Sequence, residues 1–132
     1  MPKVGTNVMM NRFCKMVPDY NKPSHFMVGV TTADPAWSDT TLNDAVTISG
    51  TSNNKLLHST TLNETDAEVV FRGRLTTTEA NSNTLTGFAV MNDDTTPKLI
   101  TKSKFTGIAK TNTMLIKFNV KLKLQDSEAY TP

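Results

Sequence analysis

Two histidines and one cysteine bound the chemistry available to this sequence. Cys14, His25 and His58 are too few for a structural zinc site with its paired Cys/His spacing. A Cys14–His25 nucleophilic pair would need an acid to orient the imidazole, and the sequence specifies none. Cys14 falls in an apolar-rich stretch, where a thiol is expected to be buried and inert. Each histidine lies in a strand-like run and reads as an ordinary strand residue. Asp93 and Asp94, followed by Thr95, could face a hard cation, but two acids fall short of a calcium loop's ligand set, so a solvated turn is expected. There is no glycine-rich phosphate loop and no nucleophile elbow. No acid–base or nucleophile set converges, so the sequence assigns no catalytic residue, cofactor or metal ligand, and an enzyme is not expected.

Cationic chemistry is the other candidate. Thr113 to Leu124 reads TMLIKFNVKLKL, with Ile116, Phe118, Val120 and Leu122 alternating with Lys117, Asn119, Lys121 and Lys123. Strand side chains alternate between faces, so one face is oily and the other cationic. A helix would scatter the same apolar residues around its circumference. The lysine face lacks interleaved aromatics and so offers charge without a stacking platform. With a net charge of only +2, nucleic acid is not an expected partner. The charge is unevenly distributed, however. Lys98, Lys102, Lys104, Lys110 and the final-strand lysines form an acid-free basic stretch, whereas Asp34, Asp39, Asp44, Glu64 and Asp66 face only Lys55. These are either two solvated faces or complementary patches that meet between subunits.

The elements that must position these groups follow from pattern and punctuation. Val4, Val8, Met9, Phe13, Met16 and Val17 recur at helical spacing, predicting a helix from about Asn7 to Val17 with Thr6 as cap and Pro18 as stop. His25 to Val30 is a short strand. Thr31 to Thr41 is a loop carrying Trp37, the one tryptophan. Trp37 is expected to fold back as a lid on the core; the alternative is an exposed anchor for glycan or protein, with Tyr20 and the Asn/Thr-rich loops. Leu42 to Thr47 reads as one helical turn, and Leu56 to Leu62 as a weak strand. Asp66 to Leu75 alternates clearly, with Val70 as the exception. Leu85 to Met91 is apolar on both faces and reads as a buried strand. Asn92 to Pro97 is a hairpin loop, Leu99 to Ser103 a strand, and Phe105 to Ile108 a linker with apolar plugs.

One helix followed by about six to eight short strands predicts a mainly β fold: an antiparallel β-sandwich, jelly-roll or immunoglobulin-like. A single domain is expected over 1–132, with helix and linker at 1–24, the sandwich at 25–124 and a polar tail at 125–132. The expected core is Val28, Val69, Phe71, Phe88, Val90, Ile116, Phe118, Val120 and Leu122. Met9, Met10, Trp37 and Leu115 are candidate interface residues. No apolar run approaches a membrane span, so no membrane partner is expected, and a lone cysteine allows no intrachain disulfide.

The order of segments is similar to a family of small β-sandwich domains of tailed-phage particles, found in tail-fibre, head-fibre and related appendage proteins. The likeness runs from about Met1 to Leu124. It is carried by Val28-Gly29-Val30-Thr31-Thr32, Pro35, Ser38-Asp39-Thr40, Leu42 and Glu79-Ala80-Asn81, then by Leu99-Ile100, Phe105, Ile108-Ala109-Lys110-Thr111 and the strand from Thr113. Where the family pattern has an acid and a glycine before a Leu-Phe pair, this chain has Gly87 and Ala89 before Val90-Met91. The resemblance implies a non-enzymatic virion structural protein, made in the host cytoplasm. It also implies assembly as a symmetric homo-oligomer, a trimer being favoured, on other capsid or tail proteins; the alternative, read from Trp37, Tyr20 and the polar loops, is a glycan- or protein-binding module.

Overall fold

The computed structural model describes residues 2–14, 20–65 and 67–123, with backbone alone for 11–14. Helix α1 (Lys3–Cys14) precedes strands β1 (Pro23–Gly29), β2 (Lys55–Leu56), β3 (Ser59–Asn63), β4 (Glu68–Leu75), β5 (Thr84–Asn92), β6 (Leu99–Ala109) and β7 (Ile116–Lys123). They form a four-stranded sheet, β2-β1-β5-β6, and a three-stranded sheet, β3-β4-β7, antiparallel throughout. This is the mainly β sandwich with an N-terminal helix that the alternation predicts.

Period two decides the packing. In β1, Phe26 and Val28 point between the sheets and join Phe71, Leu75, Phe88, Val90 and Ile116 in the main core. Met27 points the other way, into a second cluster with Ala89, Met91 and Leu99, where Leu42 and Val4 of α1 cover the outer face. β5 is therefore buried on both faces, as its LTGFAVM run predicts. Stacked phenylalanines fill the core: Phe26 and Phe88, on neighbouring strands of one sheet, at 5.4 Å, and Phe88 and Phe118, across the two sheets, at 4.7 Å between ring centroids. Gly73 leaves room for these rings, since a Cβ there would lie 3.0 Å from Phe88 Cε2 and 3.1 Å from the Phe26 ring.

Helix α1 lies against β6, an edge strand of its sheet. Val4 packs toward the outer cluster and Val8 joins the main core. Between them Gly5 abuts the backbone of Ile100, where a Cβ would overlap the Ile100 carbonyl oxygen. The helix thus shields part of an exposed strand edge, a common protection against edge-to-edge pairing.

Several sequence expectations are corrected. The helix begins at Lys3 rather than Asn7, and Thr6 is not its cap: the Thr6 N–H and hydroxyl both donate to the Pro2 carbonyl. Proline suits a helix start because its missing N–H would have no intrahelical partner there. Met16, Val17 and the Pro18 stop lie outside the described residues. Leu42 to Thr47 makes no helical turn. Asp44 is left-handed (φ 58°), and Ala45 bridges Gly29 alongside β1. Leu56 to Leu62 is not one strand. The chain turns a corner at Leu57 and His58 and passes from one sheet to the other, as strands at sandwich corners do. The Phe105–Ile108 linker is the far part of β6, taken in through a register shift opposite Leu85–Gly87. The final strand starts at Ile116 rather than Thr113, and Leu124 lies outside the described residues.

Of the expected core, Val28, Phe71, Phe88, Val90 and Ile116 are buried. Val69, Phe118, Val120 and Leu122 are only half-buried. The cause is the position of β7 on the edge of its sheet. β6 and β7 leave a groove of about 310 Å³ between them, lined by Phe88, Phe105, Phe118 and Val120 with Ser103 and Lys104, so solvent reaches the apolar face. Val69 and Leu122 pair with one another near the sheet's end. Trp37 is not a lid. It stands 60 % exposed, in a loop pinned by Lys3 N–H donating to the Trp37 carbonyl and Ala36 N–H donating to the Asp39 carboxylate.

Candidate functional site

The four candidate interface residues, Met9, Met10, Trp37 and Leu115, are all exposed. Two further leucines, missed in the sequence, are as open: Leu56 at 66 % and Leu62 at 61 %. Leu56 stands at the corner between β2 and β3, and Leu62 lies on β3, an edge strand of its sheet. Strand order separates these groups. Met9, Met10 and Trp37 accompany α1 on the β6 flank, and Leu56 and Leu62 stand on the β2–β3 flank, at the opposite edge of the sandwich. Tyr20 packs against the main core, whereas Trp37 lines a shallow surface depression with Pro2, Pro35, Ala36 and Lys102, so the two aromatics do not form one platform.

The oppositely charged stretches meet in part within one chain. Lys102 of β6 pairs with Asp39 at 3.1 Å, and Lys104 with Asp34 at 3.0 Å, tying the 31–44 loop to β6. The remaining lysines are organised differently. In the β4–β7 register Arg74 faces Lys117, Val70 faces Lys121 and Glu68 faces Lys123. Arg72 donates to the Thr61 hydroxyl on β3. The outer face of the three-stranded sheet therefore carries Arg72, Arg74, Lys117, Lys121 and Lys123 against the single acid Glu68, among the described residues.

His25 opens onto a pocket of about 640 Å³ with a Met27–Met91 floor and a rim that includes Asn54, Asp93, Asp94 and Lys98. Its Nδ1 lies 2.7 Å from the Ser24 hydroxyl. Asp94 does not orient the imidazole, because its carboxylate accepts from Asn21 N–H and from the Asn92 amide. Buried Asn92 also accepts from Lys98 N–H, so this acid and amide build the β5–β6 hairpin loop. Asp93 and Asp94 gather no third His, Cys or acid, and no such triplet occurs among the described residues. The Cys14 side chain lies outside the described residues, and His58 is exposed at its sheet corner.

A second dense polar network sits at the end of the sandwich, in the 76–83 connection and the residue after β6. Lys55 Nζ bonds Glu79 at 2.7 Å and donates to the Arg74 carbonyl. Glu79 also accepts from Thr76 N–H. Lys110, 1 % exposed, donates from Nζ to Asn81 Oδ1 at 2.8 Å and to the Thr111 carbonyl at 2.9 Å. The sequence offered no signal for this burial beyond Lys110 following an apolar run.

Burial by itself would raise the Glu79 carboxyl, but Lys55 and Thr76 hold it below its ordinary 4.5. The Ala36 N–H, then Lys102, hold Asp39 below its ordinary 3.8. The unfolded chain therefore takes up protons before the folded one on acidification. The stability these two acids contribute is present above their unfolded values and lost as pH falls through the lowered folded ones. Thermal melts from about pH 6 to about pH 3 should show Tm falling, and Lys102→Met should flatten the part of that fall due to Asp39. An unchanged slope in that variant would sink the assignment.

With this geometry in view, comparison of the chain with protein-family models, curated proteins and solved structures finds no match.

Proposed function

We propose that this chain is a structural subunit of a tailed-phage or phage-like particle that assembles as a symmetric homo-oligomer, a trimer, on the capsid or tail. The observation that carries the reading is the exposure of large apolar side chains on two opposite flanks, Met10 and Trp37 on one and Leu56 and Leu62 on the other. Apolar surface of that kind marks association sites. Two different patches on opposite edges suit a head-to-tail contact, which closes into a ring when the rotation allows. The segment resemblance supplies the particle context.

Light scattering of the purified chain is expected to give an integer multiple of the 14.5 kDa monomer. Leu56→Glu with Leu62→Glu should reduce it to monomer with unchanged circular dichroism. A wild-type monomer that does not co-sediment with particles would remove the proposal.

A second reading is favoured by the cationic outer face of the β3-β4-β7 sheet, which would contact a polyanion such as the packaged genome. In the same samples, Lys117→Glu, Lys121→Glu and Lys123→Glu together should abolish salt-sensitive retention on immobilised nucleic acid. Retention equal to wild type would discard this face.

A further inference from the structure

We propose that Lys110 and Asn81 react with one another to form an intramolecular isopeptide bond, releasing ammonia, with Glu79 as the neighbouring proton carrier.

The geometry is that of a reactive pair. Lys110 Nζ lies 2.8 Å from Asn81 Oδ1, so the amide carbon is one bond beyond a contact already made. Productive intramolecular reactions need the bond-forming atoms about 3–3.5 Å apart, held there rather than visiting it, and the contact to Oδ1 keeps Nζ within reach of the adjoining Cγ. The backbone does the holding: Ser82 N–H donates to the Lys110 carbonyl at 3.0 Å, and Lys110 N–H to the Asn83 carbonyl at 2.8 Å. Asn81 sits between two left-handed non-glycine residues, Ala80 (φ 54°) and Ser82 (φ 66°). Such conformations cost energy and persist where the surroundings impose them.

The chemistry also fits. A lysine attacks only as the neutral amine, and burial pushes the Lys110 ammonium below its ordinary value, against the opposing charge of Glu79. Buried to 1 % exposure, the amine is shielded from solvent. The leaving nitrogen, Asn81 Nδ2, is directed at the Thr77 carbonyl in an exposed contact, which leaves ammonia a way out. Glu79 is the acid whose charge acts on Lys110, so its carboxylate is the acceptor at hand; held ionised by Lys55 and Thr76 it is a weak base, and conversion is expected to be slow.

The step balances without a co-reactant. The Lys110 ammonium gives one proton to the Glu79 carboxylate, directly or through water. The amine lone pair attacks Asn81 Cγ, forming the C–N bond as the carbonyl pair moves to Oδ1. The new bond's nitrogen passes a proton to Nδ2. The Oδ1 pair re-forms the carbonyl, the Cγ–Nδ2 bond breaks, and ammonia leaves and takes the Glu79 proton as ammonium. The product links the end of β6 to the β4–β5 connection and covalently closes that end of the sandwich.

Intact mass spectrometry of the full chain under denaturing conditions, freshly purified and after incubation, tests this. The expected wild-type mass is lower than the sequence mass by one ammonia molecule. Its tryptic digest should contain a branched peptide joining Asn81 to Lys110, with no cleavage after Lys110. Lys110→Arg and Asn81→Ala should each restore the sequence mass, and Glu79→Gln should slow conversion at least about tenfold, as loss of a general acid–base does. An aged wild-type chain at full sequence mass overturns the proposal. So does a deficit that persists in Lys110→Arg or maps to a succinimide at another asparagine. Should a variant fail to fold, the presence or absence of the wild-type branched peptide decides alone.

Discussion

Phe88→Ala should lower the stability of the domain by about 3–5 kcal/mol, the range for removing a large ring from a packed core. Phe88 is 2 % exposed and is the shared member of two stacks, with Phe26 at 5.4 Å and Phe118 at 4.7 Å. Deleting it removes the ring's own transfer free energy and also the shortest of the aromatic contacts that Phe118 makes across the two sheets. Gly73 beside the two rings has no side chain with which to fill the space left behind. Against a typical total of about 5–15 kcal/mol, that loss leaves the fold marginal. Phe118→Ala is the internal control. Phe118 is half-buried beside the β6–β7 groove, where water already reaches it, so its loss should cost clearly less. Urea unfolding followed by circular dichroism measures both, and equal losses would mean that the groove is closed in solution.

Gly5→Ala should be the most damaging change of a single methyl group. At most helix positions alanine stabilises relative to glycine by about 1 kcal/mol. Here the added Cβ would overlap the Ile100 carbonyl oxygen, which belongs to a strand backbone and cannot rotate away. Overpacking of this kind costs about 1–3 kcal/mol when neighbours can shift, and more when they cannot. The helix is expected to leave β6, uncovering Val8 and the edge of Leu99–Ile100. Hydrogen exchange should show the amides of α1 losing protection while those of β5, inside the sheet, keep theirs, and the freed edge should raise the tendency to aggregate. An unchanged or raised Tm would mean that α1 does not dock on β6 as described.

Much of the fold was legible because strands write their packing into the sequence with period two. The final run placed Ile116 on the core and Lys117, Lys121 and Lys123 on the opposite face without any knowledge of a partner strand. Leu85 to Met91, apolar on both faces, announced a strand covered on both sides, and it is. Where periodicity was weak, the reading failed. Leu56 to Leu62 looked continuous, but the choice to pair with β1 and then with β4 is made by two sheets that local pattern does not describe. Trp37 was expected to be covered because large aromatics usually are, yet exposure depends on what lies above a residue in space.

The sequence by itself thus determined which residues face inward along the strongly patterned strands β4, β5 and β7, and hence the mainly β sandwich. That information is local: alternation and turn residues act over a few neighbours. Only the tertiary structure decided which charges neutralise one another, since Lys102 and Asp39 are brought together across 63 residues. It also decided that Gly5 is a docking point and that Lys110 is buried against Asn81, 29 residues away. Contacts of this kind depend on the crossing of distant segments, and neither residue of such a pair carries a mark of the other in its own neighbourhood.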